Sequence, residues 1–245
     1  MNYGLDELLE CALSAAIVGA AELQARFRGP LEISSKTSPE DHVTDADLAS
    51  EAMVRERIRA LRPNDTITGE ELANQIGENA KVRWSIDPLD GTREFSEARS
   101  DWAVHVALAE EGLPVVGAVA LPCLGVCLST AAPPTLAPSN VPPRMLISRT
   151  RPAAEAVAVA KALGAELLPM GSAGAKTMAV VRGEADIYLH TGGQYEWDNC
   201  APAAVALAAG LHVSRADGTQ LRYNNADTYL PDLLVCRPEW AEPVR

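Results

Sequence analysis

The stretch IDPLDGTREF, residues 86–95, sets Asp87 and Asp90 three positions apart around a proline and follows them with Gly91 and Thr92. Two carboxylates that close together repel and raise each other's pKa. A turn that needed only a cap would use one. Pro88 keeps Asp87 out of the helical region, and Asp then Pro suits the first two positions of a type I turn, which brings the outer Cα atoms within ~7 Å. Both carboxylates then face one point with the Leu89 carbonyl beside them. That is an all-oxygen, doubly anionic site suited to a hard divalent cation such as Mg2+. A strand ending in a turn with a capping aspartate accounts for the same residues without a metal. If a helix begins here, the N–H groups of Gly91 and Thr92 are available to a phosphate. Thr92 is then a hydroxyl beside the cation, a plain N-cap, or both.

Further acids lie elsewhere. TITGEE places Glu70 and Glu71 at a strand end, YEWDNCAPAAVALAAG places Asp198 at the start of an apolar helix, and VTDAD places Asp45 and Asp47 at the start of another. Each has an ordinary explanation when taken singly. The first is a solvated loop, the second an N-cap, and the third a helix start where the dipole favours acids.

The elements that must position these residues are legible from periodicity. Residues 5–27 have helical spacing and stop at Gly29-Pro30, and residues 45–61 form a second helix ended by Pro63. DTITGEE and VRWSIDPLDG read as strands, followed by two or three strands in series with a hairpin at 110–114. The proline-rich AAPPTLAPSNVPPR is a loop and the best boundary between an N-terminal α+β domain (1–140) and a C-terminal α/β domain (141–245). Beyond it come the strand RMLIS, the helix PAAEAVAVAKALG, the strand AELLPMG, the helix AGAKTMAVVRG, the strand ADIYLH, the helix DNCAPAAVALAAG and a short hairpin HVSRADGTQLRY. The alternation implies a layered α/β architecture.

The net charge of −12 argues against nucleic acid and anionic membranes as partners. An anionic substrate therefore needs help from a metal or a few placed cations. The N-terminal stretch lacks the basic region of a secretory signal or transit peptide, and no apolar run reads as a membrane span. The five cysteines are scattered, without the paired spacing of a zinc site, and read as reduced thiols of a cytoplasmic protein.

Together, VTDAD, GEE, DPLDGT and WDNCAPAAVALAAG resemble, in order and wording, the motifs of the inositol monophosphatase superfamily of Mg2+-dependent, lithium-sensitive phosphatases. DPLDGTREF, LISRTRP and GSAGAK resemble the CysQ-type 3′(2′),5′-bisphosphate nucleotidase branch in an actinobacterial form. Arg151 stands where that branch commonly has His, and one extra residue precedes Lys176. The resemblance implies a layered α-β-α-β-α sandwich and a homodimer. It implies a first Mg2+ on Glu70, Asp87 and the Leu89 carbonyl, a second on Asp87, Asp90 and Asp198, and a third helped by Glu70. Asp47 would accept from Thr92, which would orient the attacking water. Gly91, Thr92, Arg93, Ser148, Arg149, Arg151, Ser172, Lys176 and Asp198 would contact the substrate. The implied reaction belongs to sulfur metabolism. It removes the 3′-phosphate of 3′-phosphoadenosine 5′-phosphate, with the sulfated donor form as a second substrate. An inositol monophosphatase or fructose-1,6-bisphosphatase would share the metal core. A non-catalytic metal- or phosphate-binding regulator would not need the Asp47–Thr92 pair.

Overall fold

A computed structural model describes residues 4–35, 42–77 and 82–244. The N-terminal half holds α1 (Leu5–Arg26), β1 (Ile33–Ser35), β2 (His42–Thr44), α2 (Asp45–Leu61), β3 (Thr66–Gly69), β4 (Val82–Asp90), the short α3 (Thr92–Ser96), β5 (Ala103–Glu110), β6 (Leu113–Leu121) and β7 (Val126–Ser129). The C-terminal half holds β8 (Arg144–Ser148), α4 (Ala154–Leu163), β9 (Glu166–Met170), α5 (Ala173–Val181), β10 (Ile187–His190), β11 (Gln194–Tyr195), α6 (Glu196–Ala208), β12 (His212–Ser214), β13 (Tyr229–Leu230), β14 (Leu233–Cys236) and α7 (Ala241–Val244).

Two five-stranded mixed sheets organise the chain. One runs β3-β4-β5-β6-β7 and the other β12-β14-β10-β8-β9. The side chains explain the layering, because successive residues of a strand point to opposite faces. On β5, Val104, Val106 and Leu108 enter a core with α1 and α2, while Ala103, Ala107 and Ala109 enter a second core with α5 and α6. In the second sheet, Leu146 and Tyr188 face that same middle core, while Met145, Ile147, Ile187 and Leu189 face α4 and α7. The result is five layers, α-β-α-β-α, with α5 and α6 sandwiched between the sheets.

Two expectations need correction. HVSRADGTQLRY is not a hairpin: β12 pairs antiparallel with β14, and a turn at Arg215–Thr219 leads away from the sheet. At the edge of the sheet, β12 takes its three pairs from β14, the strand next to it. Second, α1 does have the length and apolar composition of a membrane span. Its Leu8, Cys11, Ala12, Ala15, Ala16 and Leu23 are nevertheless buried, and the helix packs on α2, β5 and β6 as part of the core.

The short helix after DPLDG is held by packing, not by length. Phe95 and Trp102 meet edge to face at 4.9 Å between ring centroids, and Phe27 at the end of α1 lies 5.3 Å from each. Phe95 and Trp102 are buried. Truncating such a ring removes transfer energy and leaves a cavity. Phe95→Ala should therefore lower the unfolding free energy in urea by about 3–5 kcal/mol. A loss below about 1 kcal/mol would show that the aromatic cluster does not anchor α3.

Candidate active site

Helix α2 begins with a reciprocal cap. The Thr44 hydroxyl accepts from Ala46 N–H at 3.2 Å, and Asp47 Oδ2 accepts from Thr44 N–H at 2.8 Å and from the Thr44 hydroxyl at 2.6 Å. Capping uses one Asp47 oxygen. The other, Oδ1, accepts from the Thr92 hydroxyl at 2.9 Å. The Thr92 proton is thereby committed to Asp47, and its lone pairs remain for a donor such as water. The Leu89 carbonyl, 3.2 Å from the Thr92 oxygen, is the weaker acceptor for that proton. Thr92 is not the N-cap of α3; Gly91 is, with φ +100°, a left-handed conformation that glycine adopts without a Cβ clash.

The DPLD segment is a bulge in β4, not a free turn. Asp87 is opposite His105 and Asp90 opposite Ala103, so one extra residue is accommodated. Asp87 Oδ1 accepts from Leu89 N–H at 3.1 Å, and Ser50 of α2 donates to the Pro88 carbonyl at 2.9 Å. Glu70 follows β3, which runs parallel to β4, and its N–H donates to the Ile86 carbonyl at 3.3 Å.

The middle helices complete the site. Asp90 accepts from the Ser172 hydroxyl at 2.6 Å, Ala173 N–H at 3.1 Å and Gly174 N–H at 2.6 Å at the start of α5. Asp198 lies inside the first turn of α6, and its Oδ2 accepts from Tyr195 N–H at 2.6 Å. It caps the helix from within instead of preceding it.

His105 was absent from the sequence reading. It is fully buried, and its Nδ1 lies 3.1 Å from the Trp197 carbonyl, which can only accept, so Nδ1 carries a proton. Its Nε2 lies 3.2 Å from Asp90 Oδ2 but off the line of a hydrogen bond. Residue 174 must be glycine beside it, because a Cβ would come within 1.9 Å of Nε2. The sequence signal was a single polar residue in the apolar strand AVHVALA.

The electrostatics are those of crowded acids. Burial pushes Asp87 well above the usual carboxylate range, and Glu70, Asp90 and Asp198 push it further. Burial, then Glu70 and Asp90, raises Asp198 to about 7. For Asp90 burial also acts upward, but His105, the Ser172 hydroxyl and the Gly174 N–H together outweigh it and hold the group at about 2.

A cleft of about 260 Å³ opens over these groups, with Glu70, Asp90, Gly91, Thr92, Arg93 and Asp198 in its wall. Ser148, Arg151, Ser172 and Lys176 line it as well. The Ser148 hydroxyl accepts from Arg151 N–H at 3.1 Å and shapes the turn that carries Arg151. Lys176 is buried: its ammonium donates to the Ser172 carbonyl at 2.7 Å and sits over the Tyr188 ring at 5.1 Å. Burial lowers its pKa to about 8. Arg149 is not in the cleft wall. Alternation along the strand end turns it onto Glu94 and Glu97 of the α3 segment, at 3.0 and 2.7 Å.

The inositol monophosphatase family model matches residues 4–242. The chain belongs to the inositol monophosphatase family. Among this family's curated members it is 47% identical over 206 residues to the 3′-phosphoadenosine 5′-phosphate phosphatase of Mycobacterium bovis, covering 80% of this chain and 77% of that one. It is 30% identical to the 3′(2′),5′-bisphosphate nucleotidase CysQ of Escherichia coli, covering 92% and 96%. The inositol monophosphatase structure from Anabaena superposes with a TM-score of 0.78 at 25% identity, over 98% of this chain and 94% of that one.

The donor set suits the hard divalent cation on which this family's chemistry relies. Glu70, Asp87, the Leu89 carbonyl, Asp90 and Asp198 offer only oxygens, and burial together with the neighbouring acids raises Asp87 and Asp198. Among the described residues no three acidic, His or Cys groups form a ready-made coordination shell. Asp90, at the end of β4, is turned onto the N–H groups that begin α5, and Asp198 onto the Tyr195 N–H at the start of its own helix.

The shift of Asp198 has a sign that can be measured. Its pKa rises from 3.8 to about 7 on folding, so the metal-free fold binds a proton there that the unfolded chain releases. The group's favourable contribution is full below about pH 4 and is lost as pH rises through about 7. Metal-free Asp198→Asn keeps the acceptor for Tyr195 and removes the charge. Its melting temperature should exceed the wild-type value at pH 8, and the gap should close as pH falls through 7 towards 5. A gap independent of pH would contradict the assignment.

Proposed function

We propose that this chain is a Mg2+-dependent phosphatase that converts 3′-phosphoadenosine 5′-phosphate to AMP and inorganic phosphate. The sulfated donor form is a plausible second substrate by chemistry, since it carries the same 3′-phosphate. The observation that carries the reading is the Asp47–Thr92 hydrogen bond standing beside a cleft lined by Glu70, Asp90 and Asp198, with Asp87 buried against them. The substrate class is supported by the relatives at 47% and 30% identity. None of the five cysteines is joined in a disulfide, which fits a reducing compartment, and we place the enzyme in the cytoplasm.

Glu70, Asp87 and the Leu89 carbonyl would hold one Mg2+, and Asp87, Asp90 and Asp198 a second, with Glu70 helping a third. When bound, Mg2+ would supply positive charge against the phosphate oxygens and lower the pKa of water. The protein groups do the rest. Asp47 fixes the Thr92 hydroxyl as an acceptor, so a water donating to it is held with a lone pair free to attack phosphorus in line. Gly91, Thr92 and Arg93 begin α3, where N–H groups lack partners inside the helix and can take phosphate oxygens. Arg151 and Lys176, with Ser148 and Ser172, line the same cleft, where the rest of the nucleotide would lie. Arg149 would act on α3 through Glu94 and Glu97, not on the substrate.

Thr92→Val keeps the side-chain shape and removes the acceptor. We expect kcat to fall roughly a hundredfold or more, about 2.7 kcal/mol of barrier, with little change in Mg2+ affinity. Near wild-type turnover would remove Thr92 from the mechanism.

Specificity is tested by a ratio. Arg151→Ala and Lys176→Met should each lower kcat/KM for adenosine 3′,5′-bisphosphate roughly tenfold or more, the scale of a lost charge-assisted hydrogen bond. Inositol monophosphate, too small to span the cleft, should be hydrolysed much as before. If the ratio of the two substrates does not move, or if wild type prefers the inositol ester, the enzyme is a sugar-phosphate phosphatase of the same family.

A further inference from the structure

We propose that Glu51 and Arg55, which do not line the reaction cleft, are positioning residues that set its Mg2+ affinity by clamping the loop that carries Glu70. The inference rests on the reading of Glu70 as a metal ligand. Glu51 and Arg55 lie one turn apart on α2 and form an ion pair at 2.7 Å, with side chains 0% and 2% exposed. Removing two charges from water is costly, and an apolar pair of similar volume would often stabilise a fold as well or better. What this pair holds is specific.

Glu51 Oε2 accepts from Glu71 N–H at 2.8 Å, and Oε1 from Leu72 N–H at 3.3 Å. Arg55 donates to the Leu72 carbonyl at 3.0 Å and the Ala73 carbonyl at 3.1 Å. Four backbone groups in the three residues after Glu70 therefore end on this pair. On the other side of Glu70, residue 69 has no side chain, and a Cβ there would come within 2.0 Å of Glu51 Oε1. The loop is thus pressed against the carboxylate from both sides of Glu70. The same helix holds Asp47 on Thr92 and Ser50 on the Pro88 carbonyl, so α2 fixes Glu70 in one frame with the DPLDGT segment. A Glu70 presented by a loose loop would still be an acid, but Mg2+ would have to order it on binding.

The test uses the full chain and Mg2+ alone, titrated by calorimetry and by shift in melting temperature. Glu51→Gln removes one charge and leaves Arg55 buried without its partner. The double variant Glu51→Leu/Arg55→Met replaces the pair with packing. The double variant should stay folded, with a metal-free melting temperature within a few degrees of wild type. Its Kd for Mg2+ should rise roughly tenfold or more, and kcat on adenosine 3′,5′-bisphosphate should recover as Mg2+ is raised to saturation. A purely structural pair would change the melting temperature and leave the Kd alone. A folded variant with wild-type Mg2+ affinity overturns the proposal while leaving the metal reading intact. Wild type that binds no Mg2+ overturns both. Should neither variant fold, amide exchange in wild type decides. Protection of Glu71 and Leu72 N–H at the level of the sheet supports the clamp, and exchange as fast as an exposed loop refutes it.

Discussion

The structure is built around a repulsion. Glu70, Asp87, Asp90 and Asp198 come from a loop, a bulged strand and a helix of the other half of the chain, and they raise the cost of charging one another. Nothing in their mutual interaction favours the meeting. The fold must hold them there with energy from elsewhere, and three buried cores separated by two sheets supply it. The apolar burial is remote from the acids, which is why a cluster unfavourable on its own terms can persist.

Asp87, Asp90 and Asp198, and Asp47 beside them, are also met by neutral donors. Asp87 takes Leu89 N–H, Asp90 takes the start of α5, Asp198 takes Tyr195 N–H, and Asp47 takes Thr44 and Thr92. His105 ties β5 to α6 through the Trp197 carbonyl while standing against Asp90. These bonds orient the carboxylates without neutralising them. The negative charge remains, and with it the attraction for a cation that gives a protein of net charge −12 a means of taking a polyanionic substrate.

The motifs and most elements could be read from sequence because their causes are local. DPLD, expected as a turn, is instead a bulge set by its pairing with β5, but the helix start at VTDAD and the strand at AVHVALAE depend on residues a few positions apart. The family motifs located the acids for the same reason. What could not be read depends on tertiary partners. Arg149, expected as a substrate contact, is held by Glu94 and Glu97, and Lys176 is enclosed by the Ser172 carbonyl and the Tyr188 ring. His105 was one residue in an apolar strand, with meaning only once Trp197 and Asp90 were placed beside it. Nothing local marks Glu51 and Arg55 as buried.

If the acids are held together against repulsion and await a cation, the free protein must carry protons that a cation displaces. Calorimetric titration with Mg2+ at pH 6, in buffers of different ionisation enthalpy, measures that release directly. Asp198, with a pKa of about 7, is then largely protonated, and Asp87 is shifted in the same direction. The account predicts that the apparent binding enthalpy depends on the buffer at pH 6, reporting protons released, and that this dependence fades towards pH 9. Binding with no proton release at pH 6, or no binding of Mg2+ at all, would contradict it.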